Sequence, residues 1–158
     1  MKVILCKPSA KPQVVDIPKK HTYLDIKALL EIESPLTCVS RKIGDCYYDL
    51  WCDDEGLFPE KKYMCGICTN VSEILCGNIL IAKSDDEGNL IGLTEDEIEG
   101  VLDDRNFVKN GSYIRFCKER QNMDFLKDQY GNSLVFGNYK GFGNVYLNPM
   151  GYALKYSA

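Results

Sequence analysis

The chain has 158 residues, 45% hydrophobic and 27% charged, with a net charge of −4. This composition is that of a globular protein, and the length suits one ordinary core or a domain of about 100 residues with a small appendage. No run of about 18 apolar residues occurs, which excludes a membrane-spanning helix.

Residues 1–8 (MKVILCKP) and 12–18 (PQVVDIP) are two β-type runs separated by a turn-forming stretch, the pattern of a hairpin. The early apolar run is interrupted by Lys7 and Lys11, too short for a secretion signal, so a cytoplasmic location is expected. Thr22 can cap a helix, with Asp25 as its capping-box partner. Leu24, Ala28, Leu29 and Ile32 recur at helical spacing and predict one apolar face, with Pro35 as the stop. LTCVSRKI and CYYDLWC then read as strands around a Gly44-Asp45 turn. The following FPEKKYMCGICTN (58–70) reads as loop, and ILCGNILIAK (74–83) as one buried strand.

Two DDEG segments, at 53–56 and 85–88, lack the ligand spacing of a calcium loop and read as acidic turns. Thr94 and Glu97 form a second capping box, opening a helix that Gly100 weakens and that ends near Asp104. Beyond Arg105, SYIRFC (112–117) is strand-like, and KERQNMDFLKDQ (118–129) is a helix or an irregular loop. NSLVFGNY, GNVYLN and GYALKY suggest a small meander. The expected fold is α+β, a mostly antiparallel sheet with two short helices. Residues 1–104 form its main domain, and 105–158 an aromatic, basic, β-rich extension.

Charge divides at the same place. Residues 1–104 carry 11 Lys/Arg against 20 Asp/Glu, and residues 105–158 carry 8 against 3. Eleven of the 17 aromatic side chains lie after Arg105. An acidic body with a basic, aromatic end can present a nucleic-acid surface, or the end can pack on the body by charge complementarity. Within that end, Lys140-Gly141-Phe142-Gly143-Asn144-Val145-Tyr146-Leu147 resembles the octamer with which RNA-recognition domains stack bases. Too few residues follow Leu147 for the second helix and fourth strand of such a domain. Tyr139, Lys140, Phe142 and Tyr146 remain a candidate binding platform on a glycine-hinged hairpin.

Eight cysteines are many for a cytosolic chain of this size, and several occupy strand-like apolar positions where a thiol acts as a small hydrophobe. Without an export signal, a disulfide framework is not expected. Cys65 and Cys68 form a CxxC, a candidate redox pair or half of a zinc site. Cys46 and Cys52, the nearest further ligands, lie about 20 Å apart if residues 46–52 form a strand. His21 is the only histidine and sits beside Lys19 and Lys20, as a solvated residue before the helix cap. No P-loop, GxSxG, HExxH or paired-carboxylate signature is present, so no enzymatic activity is expected.

The opening MKVILCKPSAKPQVVDI, the helix at YLDIKALLEI, the Cys52-Asp53-Asp54-Glu55-Gly56 turn and the stretch GNILIA…DDEGNLIGLTEDEIEGVL together resemble a family. It is an uncharacterised domain of unknown function common in phages, prophages and conjugative elements, and the resemblance covers roughly residues 1–104. After Gly56 the chain departs from the family pattern, reading LFPEKKYMC. The resemblance carries no assigned catalytic residue. It implies a small accessory protein of a mobile element that modulates host defence, by binding a host protein, by self-association or by sequestering a small signal.

Overall fold

A computed structural model of the protein describes residues 1–71, 73–109, 124–127, 133–136, 142–146, 148 and 151–158. It confirms an α+β fold. The expected hairpin forms from β1 (Lys2–Cys6) and β2 (Gln13–Asp16), with Lys2 opposite Asp16. Helix α1 (Tyr23–Leu30) opens at the predicted box: Thr22 N–H donates to Asp25 Oδ2 at 2.6 Å, and Asp25 N–H to Thr22 Oγ1 at 3.3 Å. Two expectations about α1 are corrected. The helix stops before Pro35, because Glu31 turns left-handed (φ +58°) and its N–H closes onto Ala28 O and Lys27 O. Its buried stripe is Ile26 and Leu30, while Ala28 is exposed and Leu24 is 71% exposed.

Strands β3 (Leu36–Ile43) and β4 (Cys46–Asp53) pair across the Gly44-Asp45 turn as expected. The next stretch differs from expectation. Met64–Cys68, read as loop, is a wholly buried strand, β5. The run 74–83, read as one strand, is two: β6 (Ile74–Cys76) and β7 (Ile79–Ser84), with Gly77 at φ +82° between them. They belong to different sheets, so the turn at Gly77 is where the chain passes from one layer to the other.

The first sheet has the order β2-β1-β7-β4-β3, with β8 (Leu90–Ile91) on the far end of β7, and all its pairings are antiparallel. Helix α2 (Glu95–Val101) opens at the Thr94–Glu97 box and ends at Leu102, earlier than predicted; a single 3-10 turn (Asp104–Asn106) follows. The second sheet has the order β6-β5-β12-β9, where β9 is Phe107–Lys109 and β12 is Tyr152–Tyr156. Strand β12 runs parallel to β5 and antiparallel to β9, instead of joining a C-terminal meander. Residues 118–129, expected as helix or loop, contain strand β10 (Asp124–Lys127), paired with β11 (Ser133–Phe136). The SYIRFC stretch lies outside the described residues.

Side chains alternate between the faces of a strand. In β1 and β7 both faces are apolar and both are covered. Val3, Leu5, Leu80 and Ala82 meet Ile26 and Leu30 of α1. Ile4, Cys6, Ile79 and Ile81 meet Leu154 and Tyr156 of the second sheet, with Ile98 and Val101 of α2 joining them. Each fully buried Leu or Ile contributes roughly 1.5–3 kcal/mol relative to exposure, so this middle layer holds much of the stability. The layers are therefore helix, sheet, sheet. Arg41 on β3 clasps Glu73, just before β6, through two nitrogens at 2.8–3.0 Å.

The strand at 152–156 thus shares one core with the first 104 residues. The approach to it is close-fitting: a Cβ built on Gly151 would lie 1.5 Å from Pro8 O, in the β1–β2 connection. Gly151→Ala must push two backbone segments apart and is expected to cost about 1–3 kcal/mol, measurable as a lowered urea midpoint. An unchanged midpoint would show that the two segments are not in contact.

Glu97 accepts from Thr94 N–H at 2.8 Å and pairs with Lys83, and the ion pair with Lys83, then the Thr94 N–H, hold its carboxyl below the ordinary glutamate value. A lowered folded value means the stability is present above the unfolded value of about 4.3 and lost as pH falls through the folded one. Wild type is expected to be more stable than Glu97→Gln at pH 7, and the gap should close in titrations taken down to pH 3. A gap that persists at pH 3 would assign the effect to packing instead.

Candidate functional site

Of the four predicted platform residues, Tyr139 and Lys140 lie outside the described residues. Phe142 and Tyr146 are placed, and each is met by an aromatic partner from the segment between β4 and β5. Phe142 contacts Phe58 edge-on, with ring centroids 5.2 Å apart and planes at 78°. Tyr146 and Tyr63 are 6.1 Å apart and tilted by 51°. The backbone fixes this meeting. Tyr146 N–H donates to Lys62 O at 2.8 Å, and Met64 N–H donates to Tyr146 O at 2.7 Å, a parallel bridge that lays residues 144–146 beside the start of β5.

The anchors beneath the patch are apolar. Val145 points inward and is fully buried with Met64, Ile67 and Ala153 on the outer face of the second sheet. Alternation then turns Tyr146 outward. Gly143 has φ +86°, as a glycine hinge requires, and a Cβ there would come within 3.3 Å of Lys62 Nζ. The partner segment is tied down by the first DDEG turn. Glu55 N–H donates to Asp53 Oδ1 at 2.8 Å, Phe58 N–H donates to Glu55 O at 2.9 Å, and Gly56 is packed under Cys76 O.

The result is a surface on which Phe58 is 67% exposed, Tyr63 39% and Tyr146 38%. Phe58 and Tyr63 escape a sequence search because FPEKKY reads as a solvated loop. The available signal was two aromatics, Phe58 and Tyr63, bracketing a lysine pair.

The CxxC has a different setting. A shift in register between Met64 and Gly66 lets both Cys65 and Cys68 face the core between the sheets, while Ile67 faces outward into the other cluster. The structure thus brings the two cysteines to one face, but both are fully buried. Cys65 Sγ donates to Cys6 O at 3.3 Å, and Cys68 Sγ to Asn70 Oδ1 at 3.2 Å. Burial pushes the Cys65 thiol well above its ordinary value, and Cys6, Cys52 and Cys76 up to about 12. Since the thiolate is the nucleophile and the metal ligand, these groups sit in the folded core as protonated hydrophobes. Cys46 is exposed at the β3–β4 turn and Cys52 is buried at the other end of β4. Among the described residues, no group of three or more His, Cys, Asp or Glu is arranged to hold a metal ion.

Fold and surface together define a three-layer α+β protein with an aromatic contact patch. Residues 1–105 match the family described as Domain of unknown function (DUF3846), and the chain belongs to that family. No curated protein and no solved structure matches the chain. The matched region supplies Phe58 and Tyr63; Phe142 and Tyr146 lie beyond it. Among the described residues, no helix is long and apolar enough to cross a membrane.

The described thiols divide cleanly: Cys38 and Cys46 are exposed, and Cys6, Cys52, Cys65, Cys68 and Cys76 are buried. Alkylation of native protein, mapped by mass spectrometry, is expected to mark Cys46 and Cys38 at pH 8 while leaving Cys65 and Cys68 untouched until urea is added. Rapid labelling of Cys65 in native protein would contradict a buried pair.

Proposed function

We propose that this chain is a non-enzymatic binding protein whose contact surface is the patch of Phe58, Tyr63, Phe142 and Tyr146, and whose partner is another protein. The carrying observation is the pairing of exposed rings from two backbone segments locked together by the bridge at Tyr63 and Tyr146. Aromatic side chains are enriched in protein interfaces, where they supply contact area at little entropic cost. Here the backbone bridge orders them before any partner arrives, which lowers the ordering cost further. From the family resemblance we take the setting to be a phage or mobile-element protein acting in the cytoplasm on a host protein.

A second reading, single-stranded nucleic-acid binding, draws on the same rings as base-stacking platforms and on Lys61, exposed between Phe58 and Tyr63. The two readings part on salt: phosphate contacts weaken steeply with added salt, and an aromatic protein contact does not.

The test is a photo-crosslinking amino acid at position 146, with exposed position 28 on α1 as control, in the cell that makes the protein. A single protein crosslinked from 146 and not from 28, with affinity reduced at least about tenfold by Phe58→Ala, is expected. No crosslink specific to 146 would reject the protein reading. A labelled single-stranded oligonucleotide that binds, weakens with salt and is released by Tyr146→Ala would replace it with the second.

A further inference from the structure

Lys62 is the one charged side chain buried among the described residues, with 6% of its surface exposed. It forms neither an ion pair nor a side-chain hydrogen bond with them; the cations in ion pairs are Lys2, Lys7, Arg41, Lys83 and Arg105. Burying a charge without a partner costs stability, and native chains break such packing rules chiefly at functional sites.

The backbone bridge that builds the aromatic patch also places this lysine. Lys62 O accepts from Tyr146 N–H at 2.8 Å, and burial alternates along the segment: Lys62 in, Tyr63 out, Met64 in. Its Nζ ends against Gly143, where a Cβ would lie 3.3 Å away, so the glycine leaves the ammonium uncovered on that side. Its charge reaches Cys76 and opposes the rise that burial imposes on that thiol. The nitrogen is not sealed. Among the described residues, the unpartnered polar atoms cut off from solvent are Trp51 Nε1 and Tyr156 Oη, and Lys62 Nζ is not one of them. The ammonium is therefore recessed beside the exposed rings of Tyr63 and Tyr146, in reach of a small group from outside.

A recessed cation within an aromatic surface takes an oxyanion. Resting on the reading of this patch as a protein-binding surface, we infer that Lys62 receives an aspartate or glutamate carboxylate of the partner. Apolar side chains flanking that carboxylate lie on the rings. The segment carrying Phe58 also presents exposed Asp54, Glu55 and Glu60 against Lys61. That balance repels a phosphate chain. One carboxylate on one shielded ammonium gains at contact distance, where water and salt screen the pair less than at an open surface.

Lys62→Met keeps the length of the buried stem and removes the charge. Full-length wild type and variant are titrated at constant ionic strength with acetate, inorganic phosphate and an oligothymidylate, reading the amide resonances of Gly143 and Tyr146. Acetate is expected to shift both saturably in wild type and not in Lys62→Met, whose urea midpoint is equal or higher because an unpaired buried charge is gone. In the cell, crosslinking from position 146 should fall at least about tenfold in Lys62→Met, and the crosslinked segment of the partner should carry an Asp or Glu. The control Lys20→Met, at an exposed lysine, should leave the crosslink in place. The inference is overturned by an acetate effect that is absent in wild type or survives Lys62→Met, or by a lowered midpoint, which makes Lys62 a packing residue. Saturation by phosphate or the oligonucleotide alone also overturns it. The two readings fail separately. An undiminished crosslink in Lys62→Met overturns this inference and leaves the protein reading standing. Saturable acetate binding with no crosslink specific to 146 rejects the protein partner and keeps the carboxylate site.

Discussion

The ring of Tyr156 lying against bare backbone at Gly66 is the contact on which the arrangement depends. A Cβ at Gly66 would sit 2.7 Å from Tyr156 Cε1 and 3.0 Å from Ile79 Cδ1. Three strands from two sheets therefore meet at a point where only hydrogen fits. The contact is not free of cost. Tyr156 Oη is buried without a hydrogen-bond partner among the described residues, and such an orphan costs about 1–3 kcal/mol. Burial of the aromatic ring between Leu50, Leu154 and their neighbours offsets it. Burial also drives the phenol's pKa strongly upward, so the group remains neutral in the core.

Once β12 is seated there, the rest of the second sheet has its place. β5 and β9 flank β12, β6 follows β5, and the outer face of the sheet gains Val145 as an apolar anchor. The aromatic patch is a consequence of that anchor. Val145 inward means Tyr146 outward, and the pairing of Tyr146 with the start of β5 carries Tyr63 and Phe58 to the same surface. A surface feature is thus positioned by the same layer that closes the core.

What was legible in the chain was whatever local chemistry decides. Thr22 and Thr94 cap their helices because the capping box is complete within four residues. The β3–β4 hairpin follows from eight-residue runs around a two-residue turn. What was not legible depended on partners far along the chain. In an eight-residue helix, Leu24 with Ala28 and Ile26 with Leu30 are equally valid stripes, and only the position of the sheet selects the second. MCGIC has no alternation because both faces of β5 are buried, and its pairing partner β12 is remote. ILCGNILIAK reads as one strand because its apolar character continues across Gly77, although the chain changes sheet there. For the patch, two of four rings were visible in the glycine-rich octamer. The other two sat in a segment with no periodicity to mark it.

The pairing of β12 with β5 also bears on biosynthesis. It joins the strands most distant in sequence among the described pairs. During translation β1–β8 emerge first, so the first sheet can assemble with α1 while the Met64–Cys68 strand still lacks its neighbour on one side. That strand is apolar, uncharged and free of proline, the type of segment that pairs wrongly when left open. The protein's most hazardous interval is therefore the time between emergence of β5 and arrival of β12. Slowing synthesis through residues 110–150 would lengthen that interval, and a holding chaperone would act on the edge of β5.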